Sequence, residues 1–147
     1  MIHLFYCSHS VTEDEARQLT TRFGPDELKM LSLPCSGKIT IPYLVKAFES
    51  GADGVMLCCC VPAECRNLEG NLRASKRAQA VDSLMEEVGL GKNCVLTITR
   101  GEGDIEQVIE SITRFQRGLR VTPAPGRIAV IHKESTAGAR TRRETAA

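Results

Sequence analysis

The stretch Val55-Met-Leu-Cys-Cys-Cys-Val-Pro-Ala-Glu-Cys-Arg66 decides the architecture. Its first half, Val55 to Cys59, is an unbroken apolar run of strand length, the pattern of a central strand covered on both faces. Its second half is a loop that holds Cys60 and Cys65. Before it, Gly51-Ala-Asp-Gly54 reads as the turn out of a helix. After it, a long helix is expected over about Asn71 to Val88. Ala74, Ala78, Val81, Leu84, Met85 and Val88 form one side of that helix, Arg73, Lys76 and Arg77 lie on its exposed first half, and Gly89-Leu-Gly91 ends it.

The same alternation extends in both directions. Ile2 to Tyr6 is a strand. Ser10-Val-Thr-Glu13 has the form of a capping box and opens a helix with Ala16, Leu19 and Phe23 inward, stopped by Gly24-Pro25. Leu28 to Leu33 alternates weakly as a second strand, followed by a turn at Pro34-Cys35-Ser36-Gly37. Thr40 caps the next helix, which tolerates Pro42 in its first turn and buries Leu44, Ala47, Phe48 and Gly51. Cys94 to Thr99 is a fourth strand. Gly101-Glu-Gly-Asp104 leads into a last helix with Ile105, Val108, Ile109, Ile112 and Phe115 inward. The order β-α-β-α-β-α-β-α implies a parallel sheet with helices on both faces. The expected fold is a single flavodoxin-like or Rossmann-like α/β domain over residues 1–120 with a four-stranded parallel sheet. Residues 121–147, with Arg140, Arg142 and Arg143, are expected to be a mobile, extended basic tail. Within it, Ile128-Ala-Val-Ile131 is an apolar exception that could dock on this domain or a partner.

The totals exclude several function classes. The chain has 147 residues and a formal net charge of +1, which gives no global steering toward nucleic acid or anionic membrane. It lacks tryptophan and is 4% aromatic, which argues against base-stacking surfaces. No apolar run reaches the roughly 18 residues a membrane span needs, and the N-terminus has no signal-peptide pattern. The expected location is therefore cytoplasmic. There, seven irregularly spaced cysteines point to metal or redox chemistry rather than a disulfide framework.

Parallel strands all point one way. Cys7 ends the first, Cys35 follows the second, and Cys60 and Cys65 follow the third, so all four fall at the carboxyl edge, where open α/β sheets bind their ligands. Cys94 begins the fourth strand and falls at the opposite edge, as a small core residue. Cys58 and Cys59 are buried strand residues by the same logic. Four thiolates suit zinc or an iron–sulfur cluster. Only Cys60 and Cys65 lie close in sequence, unlike the paired knuckles of structural zinc, which favours iron–sulfur over a structural zinc module. A competing reading is a cysteine-dependent phosphatase, because Cys60 and Arg66 match C-x5-R between a strand and a helix. That loop lacks glycine, carries Pro62 and the acidic Glu64, and continues with Asn67, all poorly suited to cradling phosphate. His9 reads as an exposed loop residue. Lys38, Arg66, Arg73 and Arg77 are candidate flanking cations, which would raise a cluster's potential.

Pro34-Cys-Ser-Gly-Lys38, Leu44-Val-Lys-Ala-Phe-Glu49, Gly51-Ala-Asp-Gly-Val55, Cys60-x-Pro-x-x-Cys65, Glu69-Gly-Asn71 and Arg73 occur in order. In these the chain resembles the delta subunit of the methyl-viologen-reducing hydrogenase, over about residues 3–118. The same domain is called the hydrogenase iron–sulfur subunit, and it recurs in complexes built around the A subunit of heterodisulfide reductase. Related subunits occur in methylene-tetrahydrofolate reductase and class II benzoyl-CoA reductase assemblies. The resemblance implies a 2Fe–2S cluster and a non-catalytic electron-transfer subunit. Its expected partners are a donor oxidoreductase, such as a hydrogenase or formate dehydrogenase, and a flavin-containing heterodisulfide-reductase-A-like subunit. Three departures stand out. Ser10 occupies the second position of the family's usual C-x-x-C, leaving Cys7, Cys35, Cys60 and Cys65. Val61 and Ala63 replace His and Gly, and Cys59 replaces a glycine.

Overall fold

The computed structural model describes residues 1–101, 103 and 105–121. The expectations for the tail, including Ile128 to Ile131, and for Asp104 lie outside the described residues. Four strands, β1 (Ile2–Cys7), β2 (Leu28–Leu33), β3 (Gly54–Cys60) and β4 (Val95–Arg100), alternate with four helices. These are α1 (Glu13–Phe23), α2 (Ile41–Glu49), α3 (Gly70–Glu87) and α4 (Glu106–Val121). All strand pairings are parallel, in the order β2-β1-β3-β4. This is the first part of the flavodoxin order rather than the Rossmann order, and it places the topological switch point between β1 and β3.

Position in the sheet explains each strand's composition. The central strands β1 and β3 are buried at every residue, hence the continuous apolar run at Val55 to Cys59. The weakly alternating β2 is an edge strand with an exposed Lys29 and Ser32. Two cores lie on the two faces. Ile2, Leu4, Tyr6, Met56 and Cys58 pack against Leu19 of α1 and Val108, Ile112 and Phe115 of α4. Phe5, Val55, Leu57 and Cys59 pack against Leu44 and Ala47 of α2 and Ala74, Ala78, Val81 and Met85 of α3.

Local details depart from the sequence reading in four places. The capping box belongs to Thr12 and Glu15, not Ser10 and Glu13: the Thr12 hydroxyl accepts from Glu15 N–H and the Glu15 carboxylate accepts from Thr12 N–H. Ser10 is buried instead. Leu84 and Val88 are exposed, because the buried stripe of α3 follows Ala74, Ala78, Val81 and Met85, and Leu84 falls to its flank while Val88 lies past the helix end. Gly51 is not on the α2 face but in the following turn, at φ 95°, where glycine is favoured. Cys94 precedes β4 at the amino edge, with Asp82 of α3 accepting from its backbone N–H at 2.7 Å and from Val95 at 3.0 Å. No helix among the described residues is long and apolar enough to cross a membrane.

Candidate metal centre

The four expected cysteines lie on segments that end or follow strands at the carboxyl edge, and two of them, Cys7 and Cys60, are in contact. Cys7 and Cys60 end the two central strands, and their sulfurs lie 3.4 Å apart. Two thiolates on one tetrahedral metal, each at about 2.3 Å, sit about 3.8 Å apart, so these two side chains are already spaced as a ligand pair. Cys35 follows β2 and caps a 3-10 turn at Ser36–Lys38, its sulfur accepting from Gly37 N–H at 3.3 Å. Cys65 follows a second 3-10 turn at Pro62–Glu64. Burial pushes the Cys60 thiol up to about 12, reinforced by its hydrogen bond with Cys7 and by the charges of Cys7, Cys65 and Cys35. All three other cysteines thus lie within electrostatic reach of Cys60.

Cys65 behaves differently. Burial raises its pKa, but the nearby backbone N–H groups of Asn71, Asn67 and Gly70 outweigh burial and hold it below an ordinary thiol. These groups belong to the entry of α3, whose N–H donors lack helical partners and so favour an anion. Asn71 fixes this entry from inside. It is buried, donates from Nδ2 to the Cys60 carbonyl at 3.3 Å, and accepts at Oδ1 from Leu72 N–H.

Two glycines let the segments meet. A Cβ on Gly37 would stand 2.7 Å from Gly70 Cα, and a Cβ on Gly70 would stand 2.6 Å from the Cys35 sulfur. Any side chain at either position would fill the space between Cys35 and the start of α3. Arg77, on the first half of α3, is part-buried rather than solvated. It donates to the Gly37 carbonyl at 2.8 Å and the Ile39 carbonyl at 2.6 Å, tying the Cys35 turn to the helix.

Ser10 is not free to act as a fifth ligand. Its hydroxyl lies 2.8 Å from the Cys7 carbonyl and 3.0 Å from the Cys58 carbonyl, so it ties the end of β1 to β3. Cys58 and Cys59 are fully buried, and burial pushes Cys58 up to about 11 and raises Cys59, so both stay neutral thiols. Ser36, also buried, sits against the Cys59 thiol with no other partner for its hydroxyl among the described residues. His9, Lys38, Arg66 and Arg73 are exposed.

One residue of this edge escaped the sequence reading. Arg100 ends β4 with a side chain only 6% exposed. It forms a two-pronged pair with Glu15 at 2.9 and 2.7 Å and donates to the carbonyls of Ser10 at 2.9 Å and Gly103 at 2.6 Å. It therefore anchors the loop after Cys7 to the end of β4. Its partner is 85 residues away in the chain, so no local motif marks it.

Among the described residues, no three His, Cys, Asp or Glu side chains are grouped closely enough to hold a metal ion, so of the four expected cysteines only Cys7 and Cys60 are brought together at ligand spacing. The phosphatase reading meets the opposite geometry. The loop N–H groups lower the pKa of Cys65, not that of Cys60, whose thiol burial pushes up rather than activates.

The sequence profile described as "Methyl-viologen-reducing hydrogenase, delta subunit" matches residues 2–121. Among relatives, the vhu iron-sulfur D subunit of the F420-non-reducing hydrogenase of Methanocaldococcus jannaschii is 39% identical over 91 residues, 62% of this chain and 68% of that protein. The vhc iron-sulfur D subunit of the same kind of hydrogenase from Methanococcus voltae is 31% identical over 86 residues, 57% of this chain and 60% of that protein. A third relative, the A subunit of the ferredoxin:CoB-CoM heterodisulfide reductase of Methanosarcina mazei, is 28% identical over 95 residues. That match covers 65% of this chain but only 12% of the reductase polypeptide.

Proposed function

The chain belongs to the methyl-viologen-reducing hydrogenase delta subunit family, and on that footing we propose that it is an electron-transfer subunit holding a 2Fe–2S cluster by Cys7, Cys35, Cys60 and Cys65. The observation that carries this reading is the 3.4 Å approach of the Cys7 and Cys60 sulfurs at the switch point, with Cys35 and Cys65 in electrostatic reach. These four thiolates would hold the two irons. Bound there, the cluster supplies a one-electron couple. The chain's own residues do the rest. The N–H groups at the entry of α3 stabilise the Cys65 thiolate, and Gly37 and Gly70 keep the Cys35 side of the site open. Asn71, Ser10 and Arg100 hold the three segments in register.

A relay domain of this kind works inside a larger assembly. The partners we propose are a donor oxidoreductase of the hydrogenase type and a flavin-containing heterodisulfide-reductase-A-like subunit. Relatives named for both are similar to this chain. A series of Cys→Ser variants tests the ligand set by visible absorbance and bound iron. Serine at Cys7, Cys35, Cys60 or Cys65 is expected to deplete the cluster, whereas serine at Cys58, Cys59 or Cys94 leaves it. Full iron in Cys60→Ser, or its loss in Cys94→Ser, would overturn the assignment.

A further inference from the structure

We propose that the surface around Leu68 is the docking face for a redox protein that presents an acidic rim around an apolar centre. The inference rests on the cluster reading and adds where a partner seats. Leu68 is 85% exposed, more than any other large apolar side chain among the described residues, and Leu72, in the first turn of α3, is 54% exposed. Burying neither, the fold gains little from them. Leu68 moreover holds φ at 52°, a left-handed conformation that costs a leucine free energy. That conformation shapes the turn between Cys65 and α3, where the Leu68 N–H donates to the Cys65 carbonyl at 3.2 Å, and it leaves the side chain facing solvent.

This is also the side on which the cysteines come nearest to solvent. Cys7, Cys35 and Cys60 are buried, but Cys65 is only half-buried, and it lies just before Leu68 in the same loop. A cleft of about 430 Å³ beside it is lined by Cys35, Lys38, Arg66, Leu68, Gly70 and Arg73 among others, with three cations and no carboxylate. The exposed Glu69 pairs with Arg73 at 3.6 Å and offsets its charge, which leaves the net positive charge of the cleft on Lys38 and Arg66. An exposed leucine between cations does not suit a small anion. It suits a protein surface: an apolar centre to exclude water and a charged rim to orient the encounter. Transient redox encounters are small, of under about 1,200 Å², so one such patch suffices.

The test uses the full chain with two probes of opposite charge, oxidised plastocyanin, an acidic blue-copper protein, and oxidised cytochrome c, a basic haem protein. Binding is measured by titration with and without the cluster. Electron transfer is measured with the dithionite-reduced chain, one electron leaving the cluster as copper(II) becomes copper(I). Plastocyanin is expected to bind, more weakly as salt rises, and cytochrome c to bind far less. Leu68→Ser and Arg66→Glu each weaken plastocyanin binding by about tenfold, or about 1.4 kcal/mol, and Leu68→Ser, which leaves the charge around the cluster unchanged, slows electron transfer in parallel. Iron content stays unchanged. Leu68→Gly removes the backbone strain, so it is expected to unfold at higher urea while binding as poorly as Leu68→Ser. Val88→Ser, an equally conservative change just past the far end of α3, leaves binding intact. No plastocyanin binding by the wild-type chain, or equal binding by the Leu68 variants, would overturn the docking face. Should the chain carry no cluster, electron transfer vanishes while binding still reports on the face, so the two readings fail separately.

Discussion

The close approach of the Cys35 turn to α3 gives a prediction with a definite sign. In Gly37→Ala the new methyl would stand 2.7 Å from Gly70 Cα and 3.2 Å from its carbonyl oxygen. Carbon atoms in contact rest at about 3.5–4.0 Å, so the two backbones must part by roughly 1 Å. Neither neighbour is a flexible side-chain tip. Such overpacking costs about 1–3 kcal/mol. Taking about 2 kcal/mol and a urea slope of roughly 2 kcal/mol/M, the unfolding midpoint of the metal-free chain falls by about 1 M. The separation also draws the Cys65 loop away from Cys35, so reconstituted iron falls with it. Gly118→Ala is the internal control. Gly118 lies within α4 with nothing near its added Cβ, so alanine is expected to stabilise by about 0.5–1 kcal/mol through helix propensity. Urea unfolding of the three proteins without metal, then iron content after reconstitution, makes the comparison. A Gly37→Ala chain as stable as wild type and fully loaded would refute the argued contact.

The Glu15–Arg100 pair predicts a pH dependence. The hydrogen bond from Arg100 holds the Glu15 carboxyl at about 2 rather than 4.5, against the opposing effect of burial. A carboxylate with a depressed folded pKa contributes stability that is present above about pH 4.5 and is lost as pH falls toward 2. Glu15→Gln should flatten that part of the stability curve measured by urea unfolding. It should also lower stability near neutrality toward the roughly 3 kcal/mol end of the range for stripping one partner from a buried pair; an unchanged curve would remove Arg100 from its anchoring role. Iodoacetamide at neutral pH on the metal-free chain should label Cys65 first, because it is half-buried and its pKa is lowered. Peptide mapping that finds Cys60 labelled first would revive the nucleophile reading of that residue.

The fold was legible because burial on both faces leaves a plain trace: Val55 to Cys59 could only be a central strand, and parallel strands send Cys7, Cys35 and Cys60 to one edge. Where local signals repeat, they mislead. S/T-x-x-E occurs at Ser10 and again at Thr12, and only the packed structure selects the second by drawing Ser10 between Cys7 and Cys58. The cationic half of α3 read as a solvated face, yet Arg77 turns inward to carbonyls 38 and 40 residues away. Arg100 is invisible for the same reason, since its meaning lies in Glu15. The role of Gly70 is likewise a distance, 2.6 Å from a missing Cβ to the Cys35 sulfur, and no residue type records a distance.

The most direct test of the cluster assignment is iron and acid-labile sulfide per chain in anaerobically purified protein, with an EPR spectrum after dithionite reduction. The expected result is about two irons and two sulfides per chain and a spectrum from one reduced 2Fe–2S centre. A stoichiometric zinc ion with no sulfide, or a chain that holds no metal when isolated with its native partners, would contradict it.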